Sequence, residues 1–237
     1  LWVYNGFEKY QDKKGVGRWI FDHLGKSPVL MSSVNGETRA KVATNLLRDY
    51  GYFNGSVSYQ EVPQKNPKEA KVSYVIDMAQ PYFLDSIAYL RYPHYADSLI
   101  RSTHSQSVLK SGENFSVLKL EEERQRLSSL FRNHGYYYYR PEFTTYRADT
   151  LQKPGYVSLQ VVPRNGVPTE ARKQYYIGKT SVYLTGYNDE LPTDTLRLRT
   201  MDIYYSGKKP GIRPSALMRN FFFRKGELFS QDRQALT

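Results

Sequence analysis

The chain has 237 residues, with 34 lysines and arginines against 23 acidic residues for a net charge of +11, together with 22 tyrosines and no cysteine. The missing thiol excludes a disulfide framework, a thiolate metal site and a cysteine nucleophile, and no apolar run reaches the roughly 18 residues of a membrane-spanning helix or reads as a signal peptide. Basic and aromatic side chains together suit phosphate contact and base stacking, but here they are scattered, densest at 197–199 and 208–213, and no nucleic-acid-binding signature accompanies them, so no nucleic-acid partner is expected.

In chain order, the first predicted elements lie around the phrase Gly25-Lys26-Ser27-Pro28-Val29 and the helical stripe Ala43, Leu46, Leu47 and Tyr50, spaced i, i+3, i+4, i+7. Gly51 stands just past the stripe, where a positive φ ends a helix. Two alternating segments follow, 57–62 and 71–77, joined across the prolines of 63–67 as a hairpin. A strand is expected at 82–89 and a shorter amphipathic stretch at 94–107, followed by Gly112-Glu113-Asn114-Phe115-Ser116. Ser116 occupies an N-cap position, and Leu120, Leu127, Leu130, Phe131 and His134 make the stripe of a second helix that Gly135 ends. Its acidic run Glu121-Glu122-Glu123 is expected on a solvated face in the first turn, where negative charge suits the helix dipole. Tyr136 to Tyr139 are expected to alternate between packing under the helices and facing outward. Strands then follow at 143–148 and 157–161 around turn residues 149–155, and another at 175–184. Residues 187–211 read as an inserted surface loop in which 200–205 is able to pair as a short hairpin, before Gly226-Glu227-Leu228-Phe229-Ser230.

These elements repeat. Leu46-Leu47-Arg48-Asp49-Tyr50-Gly51-Tyr52-Phe53 returns as Leu130-Phe131-Arg132-Asn133-His134-Gly135-Tyr136-Tyr137, 84 positions later with the glycine in register. The Gly-Glu-x-Phe-Ser phrase occurs at 112 and 226, and aromatic-led strands start at Tyr82 and Tyr175. A repeat of roughly 85 residues is an array of small domains. The expected fold class is therefore α+β, in tandem β-α-α-β-β units, each a three-stranded mixed sheet covered by two helices. The expected units are 1–80, with its first strand partial or missing, 81–165, and 174–237 as the N-terminal part of a third unit. In that third unit the first strand is expected to lack its central partner, and both ends read as cuts through a longer protein.

A β-α-α-β-β unit with a helix ending in Gly-Tyr-Phe or Gly-Tyr-Tyr, an aromatic-led first strand and a Gly-Glu-x-Phe-Ser phrase resembles the POTRA domain of the BamA/TamA (Omp85) family. The phrase at Gly25 and the helix from Leu120 to Tyr137 resemble the TamL branch of that family, from which Lys26 and Ser27 depart. The resemblance implies a periplasmic, non-enzymatic module without cofactor, attached to the outer membrane through a C-terminal β-barrel in cis. It also implies client outer-membrane proteins as partners and, for TamA-like members, a TamB-type periplasm-spanning protein. A two-partner secretion transporter is the alternative within this class, and a periplasmic glycan-binding protein is the alternative outside it.

Residues in catalytic or metal-ligating patterns are not found: His23, His94, His104 and His134 fall in four different elements, and Gly15-Val16-Gly17 lacks the spacing of a phosphate loop. Four Asp-Ser/Thr-aliphatic tripeptides resemble an O-glycosylation signal, and Asp149-Thr150-Leu151, at the predicted turn, is the most accessible of them. The candidate site is instead an edge. In the resembled fold the sheet order is first, third, second, leaving the strand of Phe143, Thr144, Thr145, Tyr146, Arg147 and Ala148 exposed on one side for β-augmentation by a partner strand.

Overall fold

The computed structural model describes residues 2–25, 33–65, 70–185 and 191–237. The phrase that follows Gly25 and part of the predicted insertion lie outside the described residues. Leu1–Arg48 with Tyr52–Gln80 form one compact unit, and Asp49–Gly51 with Pro81–Thr237 form a second.

In the first unit, α1 (Trp2–Phe7) and α2 (Val16–Leu24) meet through Tyr4 and Phe21, whose ring centroids are 5.1 Å apart. α3 (Gly36–Asp49) starts where the Asn35 side chain accepts the Thr38 N–H at 2.9 Å. The expected stripe on α3 is rotated: Leu46 is 55% and Tyr50 45% exposed, while Ala40 is buried. The cause is a polar residue that apolar spacing does not count. The Thr44 hydroxyl bonds the Ala40 carbonyl and accepts the Val57 N–H, both at 3.0 Å, and so turns that side of the helix toward β1 (Ser56–Pro63). β1 pairs antiparallel with β2 (Ala70–Asp77), Ser56 opposite Asp77 and Pro63 opposite Ala70. Both strands are largely exposed, so this unit buries little apolar surface.

The second unit carries two mixed sheets of the same order. The first is built from β3 (Phe83–Tyr89), β4 (Thr144–Asp149) and β5 (Tyr156–Pro163), with α4 (His94–Ser102) and α5 (Val117–Asn133) between the first strand and the hairpin. β5 lies in the centre, parallel to β3 and antiparallel to β4. Val157, Leu159 and Val161 of β5 are at most 1% exposed, as are Ile100, Leu127 and Phe131 of the helices, and together they are the core of this sheet-and-helix layer. That is the α+β arrangement expected from the period-two and period-3.6 patterns. α4 is shorter than the 94–107 stretch, since a separate 3-10 turn at His104–Gln106 follows it.

The second sheet corrects the expectation for the third repeat. β6 (Thr180–Tyr183), β7 (Asp194–Arg197) and β8 (Met201–Tyr205) stand in the order β6-β8-β7, with β8 parallel to β6 and antiparallel to β7. The first strand therefore has its central partner, supplied by the inserted segment. Ile203 of β8 is fully buried, and Lys179 pairs with the largely buried Asp202 at 2.7 Å. Only Thr180–Tyr183 of the 175–184 segment becomes ladder; Tyr176 forms an isolated bridge to Leu228. α6 (Pro214–Asn220) and α7 (Gln231–Leu236) follow the hairpin.

Candidate partner-binding edge

The two edges of the sheet β3-β5-β4 differ. β3 is capped by the repeated phrase: Gly112 N–H donates to the Leu84 carbonyl, Leu84 N–H to the Glu113 carbonyl, and Phe115 N–H to the Tyr82 carbonyl, at 2.8 to 2.9 Å. Ser111 adds a hydroxyl bond to the Asp85 carbonyl. The second copy does the same work. Gly226 N–H donates to the Ile177 carbonyl, Ile177 N–H to the Glu227 carbonyl and Phe229 N–H to the Tyr175 carbonyl, again at 2.8 to 2.9 Å. The Gly-Glu-x-Phe-Ser repeat is thus a backbone clip on the leading end of a first strand, a role the spacing announced only as recurrence.

β4 carries no such clip among the described residues. Of the six residues singled out, Thr144 to Ala148 lie in β4, whereas Phe143 closes the 3-10 turn Pro141–Phe143 at its entrance. The Phe143 carbonyl accepts the Arg164 N–H at 2.7 Å. Since antiparallel pairs alternate between bonded and non-bonded, Thr145 and Arg147 also turn their backbone groups toward β5, and Thr144, Tyr146 and Ala148 turn theirs outward. The side chains are set separately. Thr144 is 1% exposed and pairs with the Tyr139 hydroxyl at 2.9 Å, and the Tyr146 hydroxyl donates to the Leu120 carbonyl at 2.6 Å. Arg147 and Ala148 are exposed. Thr150, in the turn after β4, is exposed as well, beside Asp149, whose carboxylate accepts the Leu151 N–H at 2.9 Å.

The support beneath this edge includes a group sequence reading misplaced. Glu123 is fully buried, not solvated. Its carboxylate receives Arg126 at 2.5 and 2.9 Å, the Tyr89 hydroxyl at 2.6 Å and the Val108 N–H at 3.0 Å. Burial pushes the carboxyl up, but the Arg126, Tyr89 and Val108 bonds outweigh it and hold it below its ordinary value. The helix faces β3 at that turn, so one member of the acidic run must point inward. Glu121 pairs instead with Arg124 at 3.1 Å on the outer side. The tyrosine run is also corrected: Tyr136 and Tyr139 are buried and Tyr137 and Tyr138 exposed, because Tyr139 N–H bonds the Tyr136 carbonyl in a turn and the period is three, not two. Tyr137 meets Phe229 edge-on at 4.7 Å and Tyr138 meets Tyr175 at 5.2 Å.

No family profile matches the chain, and no curated protein matches it. Solved structures similar to it include POTRA domains 3 to 5 of BamA from Haemophilus influenzae, with 9% identity and a TM-score of 0.42, covering 86% of this chain and 66% of that one. BamA from Haemophilus ducreyi lacking POTRA domains 1 to 3 gives 11% identity and a TM-score of 0.37, over 68% of this chain and 26% of that one. The N-terminal domain of Omp85 from Thermosynechococcus elongatus gives 14% and 0.29, over 93% and 76%. The chain thus spans less than two thirds of the first two structures' length.

Proposed function

We propose that this chain is a periplasmic interaction module, a POTRA array with units at 1–80, 81–165 and 174–237 from a BamA/TamA (Omp85) family protein of the TamL branch. In this reading it works beside a C-terminal outer-membrane β-barrel in cis, without catalysis or cofactor. It receives extended segments of client outer-membrane proteins or of a TamB-type partner by strand addition at β4. The sequence resemblance supports the family. The observation that carries the binding mode is the asymmetry of the sheet: the leading end of β3 is closed by the Gly112 to Phe115 clip, and among the described residues no such clip covers β4.

Strand addition uses outward donors and acceptors, with Arg147 placed to meet an acidic group of the incoming chain. Proline at position 145 would break the bond to β5 inside the sheet and is the wrong probe. Ala148→Pro removes an outward N–H from an exposed position and spares the ladder. We expect Ala148→Pro to keep the wild-type thermal transition and to lose at least half of its crosslinking to periplasmic partners, read by photocrosslinking in cells. Wild-type crosslinking by the folded variant would end the edge-docking reading.

A further inference from the structure

Outside the edge, a cavity of about 320 Å³ opens where residues 163–172 fold back over the ends of α4 and α5. Its walls are apolar: Phe131, Tyr136, Tyr139, Val167 and Ala171 are each at most 7% exposed. Its mouth is cationic. Arg91, Arg164 and Arg172 line it, and no aspartate or glutamate does. The Arg172 guanidinium is spent on its own loop, bonding the Val167 carbonyl at 2.6 and 3.0 Å and holding that loop as the cavity's wall. Arg91 and Arg164 are uncommitted, since the arginine ion pairs of the described residues run through Arg18, Arg101, Arg124, Arg126 and Arg233. Arg91, which lines the cavity, also sits at φ 65°, a left-handed conformation that L-residues seldom adopt. Burial raises the Tyr92 and Tyr136 phenols and pushes Tyr139 up to about 12, so the walls stay neutral and add no charge against an anion.

We propose that this cavity binds a single-chain anionic amphiphile of the fatty-acid type, its tail among the rings and its head group between Arg91 and Arg164. The argument is charge complementarity joined to size. A dry apolar cavity of about 150 Å³ suffices for benzene, so about 320 Å³ holds more than one ring and suits a folded or partly inserted alkyl chain. A guanidinium takes a carboxylate in two parallel bonds, which favours a terminal acid over an ester or alcohol of the same length.

The test is calorimetric titration of the whole chain with dodecanoate below its micelle-forming concentration, beside dodecanol and a short peptide ending in a phenylalanine carboxylate. We expect one saturable site for dodecanoate, at least tenfold weaker binding of dodecanol, and at least tenfold weaker dodecanoate binding by the Arg91→Gln/Arg164→Gln variant. Ala96→Phe, which fills the cavity from α4, is expected to abolish binding while the protein stays folded; if that variant does not fold, the double arginine variant decides alone. Absence of saturable dodecanoate binding, equal affinity for dodecanol, an unchanged constant in the arginine variant, or tight binding of the peptide alone would each overturn the proposal. None of these outcomes bears on docking at β4, which Ala148→Pro tests separately.

Discussion

Two residues show how single positions hold the second unit together. Glu123 is a buried carboxylate whose bonds tie α5 to β3 and to the turn before Val108. Deleting its cation by Arg126→Leu leaves a charge uncompensated, and we expect a loss of about 3 kcal/mol in urea unfolding. Because the folded carboxyl sits below its ordinary value near 4.5, its contribution is fully present above that pH and is lost as pH falls through the lower folded value. Glu123→Gln is therefore expected to be destabilised at pH 7 and to lose less of its remaining stability than wild type between pH 5 and 3, measured by thermal melts across that range. Gly135 is the other case. It has φ 95°, accepts the Tyr175 N–H at 2.8 Å, and a Cβ there would stand 2.8 Å from Leu228. Gly135→Ala should cost roughly 2 kcal/mol, and Gly155→Ala, at φ 74° with open space around it, only about 1 kcal/mol. Equal losses in denaturant titrations would mean that backbone strain alone matters.

Among the elements, those with strong periodicity were legible and those decided by polar partners were not. The β4-β5 hairpin and α5 stand where alternation and the i, i+3, i+4 spacing put them, and the mixed order with the last strand central follows the resemblance. The stripe of α3 failed because Thr44, a hydrogen-bonding residue, faces the sheet. Glu123 failed because a charged residue is read as solvated until its partners, Tyr89 and Arg126, are seen 34 and 3 residues away. The strands of the first unit are expected to be its weak elements, since a two-stranded hairpin with both faces largely wet has little to offset its conformational entropy. Amide hydrogen exchange should run at least tenfold faster for Val72 to Val75 of β2 than for Val157 to Val161 of β5. Comparable protection of the two strands would contradict that.

Across the whole chain the repeat was legible as a recurrence of phrases, but its physical content was not. Gly-Glu-x-Phe-Ser is a clip on a strand edge, and the glycine that ends α5 is also the acceptor for the next aromatic-led segment. The insertion at 187–211 was legible only in part: the pairing segment expected at 200–205 is β8, but β7 is too short an alternation to be told from a loop, and the parallel pairing of β8 with β6 left no local signal. Residues 174–237 have their own sheet but depend on what precedes them, because Asn133 bonds Ser230 and Asp232, and Tyr137 packs on Phe229. Expressed alone, that segment is expected to melt without a cooperative transition.

The central claim is that partner strands add to β4, and amide NMR of the full chain titrated with a strand-forming segment of an outer-membrane β-barrel tests it most directly. The account predicts shift changes and new exchange protection at Thr144, Tyr146 and Ala148, the three residues of β4 whose backbone groups face outward, with Thr145 and Arg147 already protected before the segment is added. Protection that appears along β3, or none on β4 at saturating segment, would contradict it.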